Sequence, residues 1–331
     1  MNMQSILEYP SGAEFAFTIL DDTDDTTVAN GKPVYNLLSE LGLRTTKTVW
    51  AFDTPPENRG PYFAGETLSS PEYLEWTREL AADGFEIAFH NATMGSSVRR
   101  DTLRALDIIE NEFGQPVRLH CNHGQNRENL YWGADRYSSP TIKSVFNSLA
   151  NYRSYPTFEG DKPESPYYWA DVAAERLSFI RAFAFRRLNG LLIPPGRPFR
   201  DPTKQWDPVF FNTADAPDIR YFNKLVTPAA IDRLRERKGW AIISTHLGKG
   251  FYWKNRLDPE FIRSIEYLAS LPGWFVPVSQ LLDFLKEKTG APPLSRVERA
   301  WMEYSHVADR INDKIFNSCH KENAISQYPR T

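Results

Sequence analysis

Residues 15–25, FAFTILDDTDD, limit what this chain can fold into more than any other stretch. Six residues of strand type, Phe15 to Leu20, carry no helical period and run directly into Asp21, Asp22, Asp24 and Asp25. The pattern predicts a buried strand that delivers carboxylates to a loop. Like charges packed this closely repel and raise one another's pKa, so the cluster needs a cation, a basic partner or a shared proton. For an isolated Asp pair a solvated turn or helix cap is the plainer expectation, because Asp favours both positions. The residues downstream decide between the two.

Helical and strand patterns alternate along the rest of the chain. Residues 33–41 place Val34, Leu37, Leu38 and Leu41 on one helical face, with Gly42 where a helix should stop. Residues 45–52 read as a second strand, and Ser70-Pro71 opens a helix that ends by Gly84. A third strand over 85–89 stops at His90 and is followed by a helix over 98–113. Residues 116–119 then lead into a fourth strand and a loop holding His120, Cys121, Asn122 and His123. Further on, Ser139-Pro140 starts a helix, a longer one is predicted over 167–188, and a short strand over 190–193. Residues 194–218 are rich in proline, give no period and read as a long loop. A strand over 240–244 ends at Thr245-His246, Asp258-Pro259 opens another helix, and 274–278 reads as a last strand.

Such repetition implies parallel βα units in one α/β domain, residues 1–290, and seven or eight units fit a closed or nearly closed (β/α) barrel. Residues 291–331 read as a C-terminal helix and polar tail that cover the barrel or meet a partner, which allows a homo-oligomer. No G-x-G-x-x-G or G-x-x-x-x-G-K-[ST] follows a strand, so a nucleotide-binding sheet loses its main support. A net charge of −3 without a basic tract argues against nucleic acid. No apolar run nears the ~18 residues of a membrane span, and the start MNMQSILEYPSG lacks the apolar core of a signal peptide. A cytoplasmic protein is expected, with Cys121 and Cys319 as reduced thiols.

Laid on a barrel, the strand ends meet. Asp21 and Asp22 follow the first strand, His90 the third, His120 and His123 the fourth, and His246 a late one, all at the C-terminal rim where such barrels place their active sites. A lone histidine is usually a satisfied core or surface residue. Four of the chain's six gathered at one rim beside aspartates point to a metal site suited to zinc or a similar first-row ion.

These residues carry a resemblance. Asp21-Asp22 after the first strand, GFEIAFHNAT at 84–93 and THLG at 245–248 resemble the motifs of the NodB-homology polysaccharide deacetylase family, carbohydrate esterase family four. The resemblance implies a distorted (β/α) barrel, one divalent ion held by Asp-His-His, and removal of acetyl groups from sugars. On this match Asp21 is the base, Asp22 and His90 are metal ligands, His246 is the general acid and Arg118 the arginine that orients the base. Met94 stands where the family's second ligand histidine is expected. His120 or His123 can replace it from the neighbouring strand, and the place of His123 before Gly124, where the chain can turn inward, favours His123.

The expected function is metal-dependent removal of an N-acyl group from an amino sugar, free or in an oligosaccharide, with zinc as the expected ion. A carbohydrate-binding barrel that has lost its metal, and a glycosidase using paired carboxylates, are the alternatives. Cys121 is expected to be a packed thiol, not a nucleophile.

Overall fold

The computed structural model describes residues 7–56, 64–150, 157–204 and 206–319. Its seven central strands run parallel: β1 (Phe15–Asp21), β2 (Thr46–Val49), β3 (Glu86–Phe89), β4 (Leu119–His120), β5 (Phe179–Phe185), β7 (Val209–Asp215) and β8 (Trp240–Thr245). β6 (Phe199–Arg200) lies outside this set as an antiparallel partner of β7. β8 pairs with β7 on one side and with β1 on the other, in register from Ala16↔Trp240 to Asp21↔Thr245, and so closes the ring. The fold is a distorted (β/α) barrel.

Helices α1 (Val28–Glu40), α2 (Pro71–Ala82) and α3 (Arg99–Phe113) each follow one of the first three strands. α4 (Pro140–Ala150) and α5 (Ala170–Arg176) lie between β4 and β5, and α6 (Ile219–Leu225) and α7 (Pro228–Glu236) between β7 and β8. α8 (Pro259–Ala269), α9 (Val278–Thr289) and α10 (Arg296–Cys319) complete the chain. Starts and stops follow local chemistry. Thr27 and Asn30 form a reciprocal capping box that begins α1 earlier than its apolar face alone implies, and Gly114 ends α3 in the left-handed conformation. Among the described residues no helix is long and apolar enough to cross a membrane.

Side chains alternate across each strand, and two apolar layers result. Phe15, Phe17 and Ile19 of β1 pack outward with Val34, Tyr35 and Trp76 of the helices. Ala16 and Leu20 pack inward with Leu119, Cys121, Phe179 and Ile242. Leu281, Leu282 and Leu285 of α9 belong to the inner layer and plug the barrel at the strands' N-terminal end. The C-terminal end is left for polar residues. α10 lies against α4 and β5 at that end and leaves Val297, Trp301 and Tyr304 of its far face exposed.

Four expectations are corrected here. The helix predicted over 167–188 is instead the short α5 followed by strand β5, and the loop predicted over 194–218 contains β6 and β7. Both strands are buried on both faces, so each presents a nearly continuous apolar run that periodicity does not separate from a buried helix or, when broken by Asn212 and Thr213 among prolines, from a loop. The short strand expected over 190–193 is a 3-10 turn, Gly190–Leu192. The last strand shrinks to Gly273–Trp274, which pairs with Phe15 and Ala16 along the stretch of β1 below its contact with β2.

Candidate functional site

The alternation that builds β1 also sorts its aspartates. Asp21 continues the outward series Phe15, Phe17, Ile19, so its carboxylate enters the helix layer, while Asp22 turns inward above Leu20. Asp21 is fully buried and accepts hydrogen bonds from Lys47 Nζ (3.1 Å), Tyr35 Oη (2.9 Å) and the backbone N–H of Leu247 (2.8 Å). Lys47 is equally buried and lies over the rings of Tyr35, Tyr73 and Trp76. The pair ties β1 to β2, the Leu247 N–H ties Asp21 to the loop after β8, and neither Asp21 nor Lys47 is in the cleft wall. Asp21→Ala should lower the free energy of unfolding in urea by about 3–5 kcal/mol, because Lys47 is left buried without its partner. Unchanged stability with lost activity would instead put Asp21 in the chemistry.

A cleft of about 470 Å³ opens at the C-terminal rim, and Asp22, Asp24, His90, His123, Arg181 and His246 are in its wall. Asp24 stands among three imidazoles, and Asp22 Oδ1 lies 3.8 Å from His90 Nδ1. Asp24 Oδ1 lies 3.2 Å from His90 Nε2 and 3.6 Å from His123 Nε2, and its Oδ2 lies 3.4 Å from His246 Nε2. Each ring is oriented through its other nitrogen. His90 Nδ1 donates to the Cys121 carbonyl (3.0 Å), His246 Nδ1 to the Pro217 carbonyl (2.7 Å) and His123 Nδ1 to Asn126 Oδ1 (3.3 Å). The Asn126 amide is itself fixed, since its Nδ2 donates to the Thr93 and Gly95 carbonyls and to Glu128.

With both Nδ1 atoms donating, neutral His90 and His123 turn Nε2 lone pairs toward a carboxylate, acceptor against acceptor. A proton or a cation must stand between them. Burial pushes the His90 ring down despite Asp22 and Asp24, so a proton is disfavoured there. For His123 and His246 burial also pushes down, but Asp24 outweighs it and raises both. Asp24 shows the reciprocal effect: burial pushes its carboxyl up, and the two imidazoles overcome this and hold it well below the usual carboxylate range. Asp24, His90 and His123 offer one ligand atom each, all within 4.8 Å of one another, and are the residues that could hold a divalent ion. Trp50 packs beneath both rings, 6.0 Å from His90 and 5.1 Å from His123 between centroids.

Asp22 takes a different partner. Arg181 Nη1 reaches Asp22 Oδ1 (2.9 Å), Asp22 Oδ2 (2.7 Å) and Ser244 Oγ, while its Nη2 reaches the Asn122 carbonyl at 3.4 Å. The two side chains are nearly buried and face the cleft. Arg118 is elsewhere. It precedes β4, so it sits at the opposite end of the barrel, where its Nη2 bonds Asp283 of α9 at 2.8 Å. His120 is fully buried between the Phe89 carbonyl and Asn122, and burial pushes its pKa down to about 3. Cys121 packs in the inner core, and burial pushes its thiol up. Met94 is half-buried.

Gly248 lets the loop after β8 close on the acidic loop. A Cβ there would stand 2.5–2.6 Å from the backbone of Asp25 and Thr26, so any side chain would push His246 away from Asp24.

No family model and no curated protein matches this sequence. Solved structures do match. The PuuE allantoinase superposes with a TM-score of 0.50 at 10% identity, over 87% of this chain and 94% of its own. A protein assigned as a polysaccharide deacetylase from Mycobacterium smegmatis gives 0.47 at 14% identity, over 88% and 96%. Another, from Pseudomonas aeruginosa, gives 0.49 at 13% identity, over 87% and 95%. The likeness is one of fold. Chemistry has to be argued from the side chains.

Of those side chains, sequence reasoning missed the pairing of Asp24 with the imidazoles, and it missed Arg181 altogether. Asp24 lies past the end of β1, where strand alternation gives no signal. Arg181 had none, because its strand was read as a helix.

Proposed function

We propose that the protein is a metal-dependent amide hydrolase that removes an acyl group from an amino sugar. The convergence of His90 Nε2, His123 Nε2 and Asp24 beside the Asp22–Arg181 pair carries this reading. The donor set, one carboxylate and two imidazoles, suits zinc or a similar first-row ion. When bound, such an ion supplies Lewis-acid polarisation of the acyl carbonyl and lowers the pKa of water. The chain's own residues supply the proton transfers. Asp22, lining the cleft and held by Arg181, accepts the proton of the attacking water. His246, whose Nδ1 is committed to Pro217, delivers a proton from Nε2 to the departing nitrogen. The named activities of the structural neighbours, polysaccharide deacetylation and allantoin hydrolysis, are in keeping with attack on an amide-type bond.

Purified protein should contain about one divalent ion per chain by elemental analysis, and it should release acetate from N-acetylated amino sugars. A chelator should stop the release and zinc restore it. Protein that binds no ion and hydrolyses none of these substrates would leave the carbohydrate-binding barrel as the better reading.

A further inference from the structure

His123 reaches the site from a segment that has neither helix nor strand, three residues past the end of β4. A side chain on such a segment is held no better than its backbone, so a ligand placed there needs support from outside. Three buried asparagines give it. Asn91 Oδ1 accepts from the His123 backbone N–H (2.9 Å), Asn129 Nδ2 donates to the His123 carbonyl (2.9 Å), and Asn126 Oδ1 accepts from the ring Nδ1 (3.3 Å). Asn91 follows His90 directly and has a positive φ of 65°, a conformation that asparagine tolerates better than most residues. His90 and His123 are thus linked through one side chain.

Two of those amides meet on Glu128, which is fully buried. Its Oε1 accepts from Asn91 Nδ2 (2.9 Å) and Asn126 Nδ2 (3.0 Å), and its Oε2 from the Ser97 backbone N–H (3.0 Å). Asn129 is tied in through its Oδ1, which accepts from Asn91 Nδ2 at 3.0 Å. The Glu128 backbone is anchored as well, since Trp169 Nε1 donates to its carbonyl (2.7 Å). An asparagine amide can stand either way round, and the acceptors around it decide which. With Glu128 beside them, Asn91 and Asn126 present Nδ2 to the carboxylate and therefore Oδ1 to His123. His123 must then donate from Nδ1, which leaves Nε2 to face Asp24.

The demand on position 128 is specific. Three donors converge on it, and an ionised carboxylate accepts on both oxygens, whereas a carboxamide has one acceptor oxygen only. Burial pushes the Glu128 carboxyl up to about 7 and these donors hold it down, so its charge depends on them as their orientation depends on it. Glu128 and the three asparagines are absent from the cleft wall. They act through the ligand that they hold and not by touching what the cleft contains.

We propose that Glu128 is a positioning residue of the ion site: through Asn91 and Asn126 it fixes the backbone and the tautomer of His123, and so aims Nε2 at the ion. The proposal rests on the reading of His123 as a metal ligand, and it adds what makes a loop histidine serviceable in that role.

Zinc affinity, measured by competition with a chromophoric chelator and without substrate, tests this. In Glu128→Gln the new NH2 group meets a donor whichever way the amide stands, so zinc should bind about 10–100-fold more weakly. Asn126→Ala, which removes the acceptor of His123 Nδ1 and leaves Glu128 in place, should lose affinity to a similar extent. A purely structural role for Glu128 would lower the urea midpoint of the ion-free protein and leave the zinc affinity of its folded fraction unchanged. Affinity within about threefold of the unaltered protein in folded Glu128→Gln therefore overturns the proposal and leaves the hydrolase reading intact. Unaltered protein that binds neither zinc nor cobalt removes both. If neither variant folds, the zinc-loaded unaltered protein still decides: nitrogen NMR of the imidazoles should place the His123 ring proton on Nδ1, protected from exchange with water, and a proton on Nε2 overturns the proposal.

Discussion

Asp24→Ala should remove the ion from this protein, taking its occupancy from about one per chain to near zero and its activity with it. The expectation comes from direction as much as distance. His90 and His123 commit Nδ1 to acceptors and turn Nε2 toward Asp24, so the carboxylate completes a three-ligand face that two imidazoles alone do not make. Loss of residues that merely support ligands typically costs 10–100-fold in affinity, and loss of a ligand itself should cost more than roughly a hundredfold. His123→Ala should behave in the same way, whereas His120→Ala and Met94→Ala should retain the ion, since His120 is enclosed between Phe89 and Asn122. Elemental analysis after dialysis against a weak chelator is the measurement. Full occupancy in Asp24→Ala together with loss in Asp22→Asn would move the carboxylate ligand back to Asp22, where the family resemblance put it.

The difference between those two assignments shows what the sequence could and could not convey. The first strand was legible because Phe15 to Leu20 is bounded by charge, and the rim histidines were legible because β3, β4 and β8 each end on or just before one. The length of β1 was not. Ending the strand at Leu20 places Asp21 in a loop, free to act; extending it by one residue gives Asp21 the outward parity of Ile19 and commits it to Lys47. A one-residue change reverses the face of a side chain, so the roles within an acidic cluster depend on a boundary that local sequence does not specify.

Arg181 was hidden for another reason. In LSFIRAFAFRRL the alanines, arginines and leucines favour a helix, and only closure of the sheet between β4 and β7 makes 179–185 a strand. Tertiary pairing overrode propensity, and the residue that holds Asp22 was lost with the strand. Arg118 was the substitute because it stands beside β4 in sequence. It stands at the start of that strand, however, and parallel strands put their starts at the end of the barrel opposite the cleft.

Asp22→Asn should keep the ion and lose turnover. Asn has nearly the same shape and can still accept from Arg181, so the fold around Ser244 and Asn122 should persist, but an amide does not take a proton from water. General-base catalysis is typically worth 10²–10⁴ in rate, and kcat should fall by roughly that factor. KM should change little, because the lost interaction belongs to the transition state and not to binding. Arg181→Met should also lose turnover, but for a different reason. It leaves a carboxylate buried at the base of the cleft without its partner, so the variant should in addition be less stable by about 3–5 kcal/mol. Arg181→Lys keeps the charge but not the contacts from two nitrogens that reach Asp22, Ser244 and Asn122 together, and it should fall between the two in activity. The decisive comparison is ion content against kcat in Asp22→Asn. A variant that has lost both would make Asp22 a ligand, and one that has lost neither would leave Asp25 or His246 to serve as the base and reduce Arg181–Asp22 to a structural pair.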